Sequence, residues 1–330
     1  MLRSVRYAVI SLMASLLALP DAPAAHPTDL AVTAQVRAFL EGLDATKRGR
    51  TALTFSDPER HNFNWLPGSR RGVRLDELDQ TQTHQLRDIL RTVLSESGVR
   101  KIDSILATET ALGVIENAPE YRSAGKYYTT VFGVPGPGTW ALRFEGHHLS
   151  VNLSFEGDTL TSATPLFLGA NPETVPTGPD KGLRALKAEV NLAFALLSAL
   201  SPEQLARARG SDEWFAGFLT DPGERRVNLG KPAGIPVAEL RAEQSEMLKN
   251  LVRAYLGTIT PAYALPYLDE LIAGDWANVR FYWKGAMARG NGGYYYRIAG
   301  RQLLIEHDGL SGGSHIHAIW RDVVKDFGER

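Results

Sequence analysis

Cysteine is absent from the 330-residue chain. Its absence excludes a thiol nucleophile, a thiolate metal site and any disulfide, so the stability of the fold has to come from a hydrophobic core. Neither sign of charge is in excess, since 36 lysines and arginines stand against 37 aspartates and glutamates. Binding a phosphate backbone requires a concentrated basic surface, so nucleic acid is not an expected partner. The motifs of serine hydrolases, zincins and P-loop proteins are also missing from the sequence.

Long hydrophobic runs are scarce, and the one that is present lies at the N-terminus. Arg3 and Arg6 precede the 13 mostly apolar residues from Tyr7 to Leu19, and Ala22-Pro23-Ala24 follows them. This order is typical of an export signal. An uncleaved anchor is the alternative, but the run is shorter than the roughly 20 residues that span a bilayer. We therefore expect residues 1–25 to be a cleaved signal peptide and the mature protein to be periplasmic or extracellular, with no further membrane contact.

Several blocks of sequence recur in the same order in the two halves of the chain. Two of the three pairs keep their apolar, glycine and charged positions in register, and the order of all three predicts an internal duplication. The alternative is that both halves only share common helix and hairpin patterns. The paired blocks are residues 57–60 and 221–225, residues 72–82 and 234–244, and residues 140–151 and 294–305.

Apolar periodicity predicts helices followed by antiparallel strands in each half. We therefore predict an α+β fold of two duplicated halves, each with helices followed by a hairpin or meander, packed into one compact unit. The predicted boundaries are 26–165 for the first α+β repeat, 166–210 for a linker loop and helix, and 211–330 for the second repeat. Helices are predicted at 75–94, 102–112, 183–200, 237–256 and 261–273, strands at 127–132, 139–144, 149–155, 278–283, 294–298 and 303–307, a loop at 164–182, and a terminal helix from residue 321.

Histidine is concentrated in two short stretches that contain five of the eight histidines in the chain. Side chains alternate between the faces of a strand. This alternation assigns His147 to the core and His148 to the opposite, polar face, and it assigns His307 to the apolar face of its hairpin. It also places His315 and His317 together on one face, so that their imidazoles can converge on a common ion.

The histidines suggest a metal site. Catalytic zinc sites commonly use three protein ligands and keep one position open for water. His148, His315 and His317 are the candidate ligands for a divalent metal such as zinc, with Glu306 as a further ligand or general base. Two alternatives stay open: a site without metal in which histidine acts as acid or base, and histidines that only satisfy structural hydrogen bonds.

Four further polar residues are candidates for contacts with a substrate. Arg321 and Asp322 could anchor a substrate carboxylate or orient a histidine, although an exposed ion pair at the start of a helix is the simpler interpretation. Arg60 follows an Asp-Pro turn and suits an anionic ligand, although it could equally brace the turn. Asn152 occupies, in the first half, the position that Glu306 occupies in the second.

Three motifs taken together resemble the family called domain of unknown function 3500: residues 146–152, 164–172 and 315–322. The resemblance extends over nearly the whole mature chain. Because the family name implies no established activity, the resemblance assigns no role to any residue.

These observations lead to two hypotheses about function. The first is an exported metal-dependent hydrolase that uses the histidine site. The second is a non-catalytic exported protein that binds a small-molecule or carbohydrate-like ligand through its arginines and aromatic residues. A structural module whose two halves build an interaction surface is a third interpretation.

Overall fold

A computed structural model describes residues 31–210 and 218–329. The expected signal peptide lies outside these residues. The described part forms eight α-helices and twelve strands, and none of these helices is long and apolar enough to cross a membrane. The helices are α1 (Val32–Gly42), α2 (Ala45–Thr51), α3 (Gln80–Val93), α4 (Glu96–Ile115), α5 (Lys187–Ala199), α6 (Pro202–Ala208), α7 (Ala242–Leu256) and α8 (Pro261–Gly274). The strands are β1 (Ala52–Leu53), β2 (Val73–Arg74), β3 (Tyr128–Phe132), β4 (Thr139–Gly146), β5 (Leu149–Glu156), β6 (Thr159–Ser162), β7 (Leu166–Ala170), β8 (Ile235–Pro236), β9 (Arg280–Gly285), β10 (Tyr294–Ala299), β11 (Leu303–Leu310) and β12 (His315–Asp322).

All twelve strands belong to one sheet, so the fold is a mixed arrangement of helices and a mainly antiparallel sheet. The order along the sheet is β1-β3-β4-β5-β7-β12-β11-β10-β9-β8, with β2 on β3 and β6 on β5. The meander β3-β4-β5 lies on one side of the central pair β7-β12, and the meander β9-β10-β11 lies on the other. The antiparallel pairing of β7 with β12, in which Gly169 lies opposite His317, therefore joins the two parts of the sheet.

The main hydrophobic core fills the space between one face of this sheet and the helices. Alternate residues of the central strands point into it, for example Leu149 and Val151 of β5 and Ile316 and Ala318 of β12. We call this side of the sheet the helix face. His307 also lies on it and is fully buried, as the strand alternation predicts.

Loops cover the opposite side of the sheet, which we call the loop face. A second, smaller apolar cluster holds them there, and in it the rings of Trp65 and Phe167 stack with centroids 4.2 Å apart. The strands contribute buried polar side chains to this face, so it is kept in place by ion pairs as well as by apolar contacts. Arg143 of β4, for example, is 2.6 Å from the Glu59 carboxylate in a covering loop.

The carboxylate of Glu329 ties two covering loops together. Arg60 lies 2.5 Å from one of its oxygens and Arg225 lies 2.6 Å from the other, while His61 Nε2 is 2.7 Å away. The remaining Arg60 hydrogen bonds go to backbone carbonyls of Phe55 and Phe327. The Arg60 guanidinium is thus engaged by protein groups and braces the loop, which favours the structural interpretation of this residue over the ligand-binding one.

The predicted loop at 164–182 was wrong in part, because it contains the central strand β7. This strand, Leu166–Ala170, is buried on both faces and has only five residues. A doubly buried strand lacks polar alternation. Prolines also stand at both of its ends, so the segment looked like a loop in the sequence.

The predicted terminal helix was also wrong. Strand β12 continues through Arg321 and Asp322, and a single 3-10 turn, Asp326–Gly328, follows it. The Asp322 carboxylate accepts hydrogen bonds from the backbone N–H groups of Val324 and Lys325, which turns the chain at the end of the strand.

Replacing Glu329 with glutamine tests the ionic tie between the loops. Burial alone would raise the pKa of Glu329, but hydrogen bonds from Arg225 and His61 outweigh it and lower the pKa to about 2. A lowered carboxyl pKa adds stability above the unfolded-state value, and this stability is lost as the pH falls toward the folded-state value. We expect Glu329→Gln to reduce the free energy of unfolding by about 1–2 kcal/mol near neutral pH, allowing for solvent screening.

The measurement is urea unfolding of both proteins at about pH 6 and about pH 3. The difference between wild type and variant should shrink at the lower pH, and the exposed Glu41→Gln should change little at either pH. A difference that does not depend on pH would contradict an ionic role for Glu329.

Candidate metal centre

Three histidines from two distant parts of the chain meet at the central strands. His148 comes from the loop between β4 and β5, and His315 and His317 come from β12. The Nε2 atoms of His148 and His315 are 2.8 Å apart, and the ring centroid of His317 lies 5.3 Å from that of His148 and 4.5 Å from that of His315. One nitrogen of each ring lies within 4.8 Å of the others. The structure thus brings together the three residues that the sequence suggested as metal ligands.

The position of His148 depends on the geometry of the hairpin loop. The loop consists of His147 and His148, and His148 has a φ of 61°, a left-handed value that is uncommon for residues other than glycine, although histidine adopts it more often than most. Strand alternation therefore does not apply to these two residues, and their rings stack with centroids 3.7 Å apart. Strand phase thus does not decide the position of His147. Its side chain is 11% exposed, lies 2.6 Å from the Glu109 carboxylate and lines a cleft.

Gly169 leaves the space in which His148 and His317 approach each other. It lies on β7 between them, its N–H donates to the His148 carbonyl over 2.8 Å, and it pairs with His317 across the sheet. A Cβ atom at this position would come within 3.1 Å of His148 Cδ2 and 2.9 Å of the Ile316 carbonyl oxygen. Sequence reasoning missed Gly169 because it placed this segment in a loop.

Asp308 orients the ring of His317. It lies opposite His317 on the neighbouring strand β11, and its Oδ1 is 3.1 Å from His317 Nδ1. A carboxylate that accepts one ring N–H of a histidine fixes the ring and leaves the other nitrogen for a ligand, an arrangement typical of metal-binding histidines. Asp308 was not among the predicted site residues, although it shares its strand face with Glu306.

Burial keeps two of the imidazoles neutral. Desolvation lowers the pKa of His148 well below its usual value, and the neighbouring His147 and His317 lower it further. Desolvation, followed by the effect of His317, lowers the pKa of His315 to about 3. Because a metal binds the neutral form of imidazole, both rings are in the form that binds metal at neutral pH.

A glutamate and His147 form a second group beside the first. Glu109 of α4 is buried, and its Oε2 lies 2.6 Å from His147 Nδ1. One oxygen of Glu109 and one nitrogen each of His147 and His148 lie within 4.8 Å of one another. Two sets of possible ligands therefore share His148.

A cleft of about 260 Å³ borders this second group. His147 and Glu109 line it, and the Tyr127 hydroxyl in its wall donates to the His147 carbonyl over 2.7 Å. The other charged groups in the lining are Arg74 and Lys126. The cleft is large enough for a small organic molecule and has polar groups of both signs.

Glu306 lies on the same strand face as Asp308 but does not join the histidines. Its Oε1 accepts hydrogen bonds from the Tyr295 hydroxyl and the Leu219 N–H, each over 2.7 Å. Burial raises the pKa of Glu306 to about 7, partly offset by these two bonds. Among residues 31–210 and 218–329, neither histidine group that could hold a metal includes Glu306. The geometry therefore favours a structural carboxylate over a ligand.

The other predicted site residues lie away from the histidines. Arg321 pairs with Asp326 over 2.6 Å. It lies six residues beyond His315 on β12, so the backbones of these two residues are about 20 Å apart along the strand. Asp322 adjoins it. Asn152 donates to the Ser150 hydroxyl and the Pro165 carbonyl, and it borders, with Arg60, a cavity of only about 10 Å³. A space of that size holds about one water molecule.

Comparison with known proteins identifies the family. Residues 26–329 match the family described as Protein of unknown function (DUF3500). The match covers nearly the whole chain, so the chain belongs to this family, and the resemblance inferred from its motifs is confirmed. No curated protein and no solved structure gives a significant match.

Replacing Gly169 with alanine tests how closely β7 is packed against the histidines. The added methyl group must displace either His148 or the β12 backbone, so we expect a loss of about 1–3 kcal/mol in the free energy of unfolding. Gly138→Ala is the matched control, since a Cβ atom there would meet nothing within 4 Å. Urea unfolding measures both variants, and equal effects would show that the contact at Gly169 is unimportant.

Proposed function

We propose that the chain is an exported metal-dependent enzyme, most simply a hydrolase, in which His148, His315 and His317 bind a divalent metal such as zinc. The observation that carries this proposal is the meeting of three imidazoles, whose donor nitrogens lie within 4.8 Å of one another, with a carboxylate behind one ring.

The donor set fits zinc in three respects. Imidazole nitrogen is a preferred zinc ligand, and three protein ligands are the number that catalytic zinc sites commonly use. His148 and His315 are kept neutral by burial, so binding a cation does not first require them to lose a charge. Asp308 supplies the acceptor that such histidines usually have on their second nitrogen.

A divalent ion held in this way supplies a Lewis acid and lowers the pKa of water near it. The side chains around the histidines have complementary roles. Asp308 accepts the Nδ1–H of His317 and holds that ring toward the other two. The rings of Phe167 and Phe218, with centroids 5.7 and 6.3 Å from that of His317, keep bulk water from this side of the cluster. The proposed place for a substrate is the cleft lined by His147, whose ring stacks on that of the ligand His148.

The cleft also supports a second candidate function, a non-catalytic protein that binds a small-molecule or carbohydrate-like ligand. Its walls include Tyr121, Tyr127 and Tyr128. Aromatic surface with polar groups around it suits such ligands. Ligand-induced thermal stabilisation without turnover would favour this function over the enzyme.

We further propose that the fold arose by duplication, and the equivalent contacts in the two halves support this. The amide of Gln82 donates to the Gly42 carbonyl at the end of α1, and the amide of Gln244 donates to the Ala199 carbonyl at the end of α5. In the sheet, Arg143 lies opposite Asn152, and Arg297 lies opposite Glu306. Helix and strand orders also correspond, from α1 to β5 and from α5 to β11, except that the described residues of the second set contain no counterpart of β1.

Export is proposed on the basis of residues 1–25. The expected result is that protein recovered from the periplasm or the medium of producing cells has the mass of a chain that begins at residue 26. Intact mass spectrometry of each cell fraction measures this. A full-length product retained in the cytoplasm would contradict the proposal.

The metal proposal is tested with the purified mature protein. Wild type should retain at least one equivalent of zinc after dialysis, measured by elemental analysis. The double variant His315→Ala/His317→Ala should lose the ion bound by the three histidines, and the exposed His84→Ala should keep it. Hydrolysis of chromogenic carboxylic and phosphoric esters should stop with a chelator and return with zinc. If the folded wild type retains no metal, and its stability equals that of the double variant, the metal proposal is wrong.

A further inference from the structure

The second histidine group differs chemically from the first. It contains a carboxylate, Glu109, whose side chain is 4% exposed, together with His147 and the shared His148. It also borders the cleft, whereas the trio of His148, His315 and His317 does not line it. The buried carboxyl group adds an oxygen donor, which the trio itself lacks, so this group offers a cation a different set of donors from the first.

We propose that Glu109, His147 and His148 form a second divalent-metal site next to the first. It takes a cation of the zinc class, because its donors are one carboxylate oxygen and two imidazole nitrogens. His148 has two ring nitrogens and serves both sites by offering one to each. Its ring proton then leaves to solvent as the second ion binds. The stacking of His147 on His148, at 3.7 Å between centroids, already places the two sites side by side.

Arg122 is the group that competes with a cation at this second site. Its Nη1 lies 3.1 Å from His147 Nδ1, and its Nε lies 2.8 Å from the Glu116 carboxylate on the other side. Glu116 is partly exposed, so Arg122 can withdraw from His147 and keep its ion pair. Arg122 therefore sets the affinity of the second site without belonging to it.

This second site is separate from the proposed three-histidine site, and counting bound ions in selected variants distinguishes the two sites. Protein stripped of metal is titrated with zinc alone by calorimetry, and bound zinc is counted by elemental analysis after dialysis. Wild type should bind two ions. Glu109→Gln and His147→Gln should each bind one, and His148→Asn, which tolerates the left-handed φ, should bind fewer than either. His315→Ala/His317→Ala should keep one ion, held by the second group.

Each outcome decides the question. One ion in wild type, unchanged by Glu109→Gln and His147→Gln but lost in His315→Ala/His317→Ala, overturns the second site and leaves the first intact. No ion in wild type overturns both. Circular dichroism and thermal unfolding confirm that each variant is folded. If either Glu109→Gln or His147→Gln is unstable, the other still tests the second site.

Arg122 gives an independent readout with the opposite sign. Removing a competing charge beside a partly exposed site should tighten zinc binding at the second site about three- to tenfold in Arg122→Gln. Arg74→Gln is the matched control, because Arg74 lines the same cleft and has its own carboxylate partner, Asp76. Unchanged or weaker binding in Arg122→Gln would show that no cation sits beside His147.

Discussion

The pairing of β7 with β12 is the constraint on which the rest of the molecule depends. It joins two meanders into one sheet, and its register places Gly169 opposite His317. Because Gly169 also binds the His148 carbonyl, the same two strands bring the hairpin loop of the first meander to the histidines of the last strand. A shift of one residue would turn His315 and His317 toward the helices. The site therefore follows from the register of the central pair.

The loop face shows why the histidines differ from the other buried polar groups. Several of those groups already have a partner of opposite charge, as Arg143 has in Glu59 and Arg321 has in Asp326. A buried ion pair of this kind holds its charges in place and has little capacity for a ligand. His148 and His315 instead meet each other, with two neutral nitrogens 2.8 Å apart. A proton between them makes one N–H···N hydrogen bond, and the proposed cation would replace that proton and bind the lone pairs of both nitrogens.

Much of the fold and the main candidate site could be predicted from sequence because both follow from local periodicity. The spacing of His315 and His317 fixes their common face once the segment is a strand, and each of the strands predicted for the two meanders is present. What could not be predicted depends on contacts between distant segments. Glu306 and Asp308 share a strand face, so alternation could not decide which one meets a histidine. The register of β11 with β12 decides it in favour of Asp308.

The proposed duplication also bears on why only one of the two equivalent hairpin loops contributes a histidine to the candidate site. The N–H of Val323 donates to the Gln302 carbonyl over 2.9 Å, just as the N–H of Gly169 donates to that of His148. The two hairpin loops thus meet the neighbouring strand in the same way. At the first hairpin, the residue at this contact is Gly169, which has no side chain, and the imidazole of His148 lies over it. At the second hairpin a valine occupies the contact, and Gln302 stands where His148 would be. Space at one backbone position, together with a histidine in the hairpin loop, therefore distinguishes the hairpin that contributes to the candidate site from the one that does not.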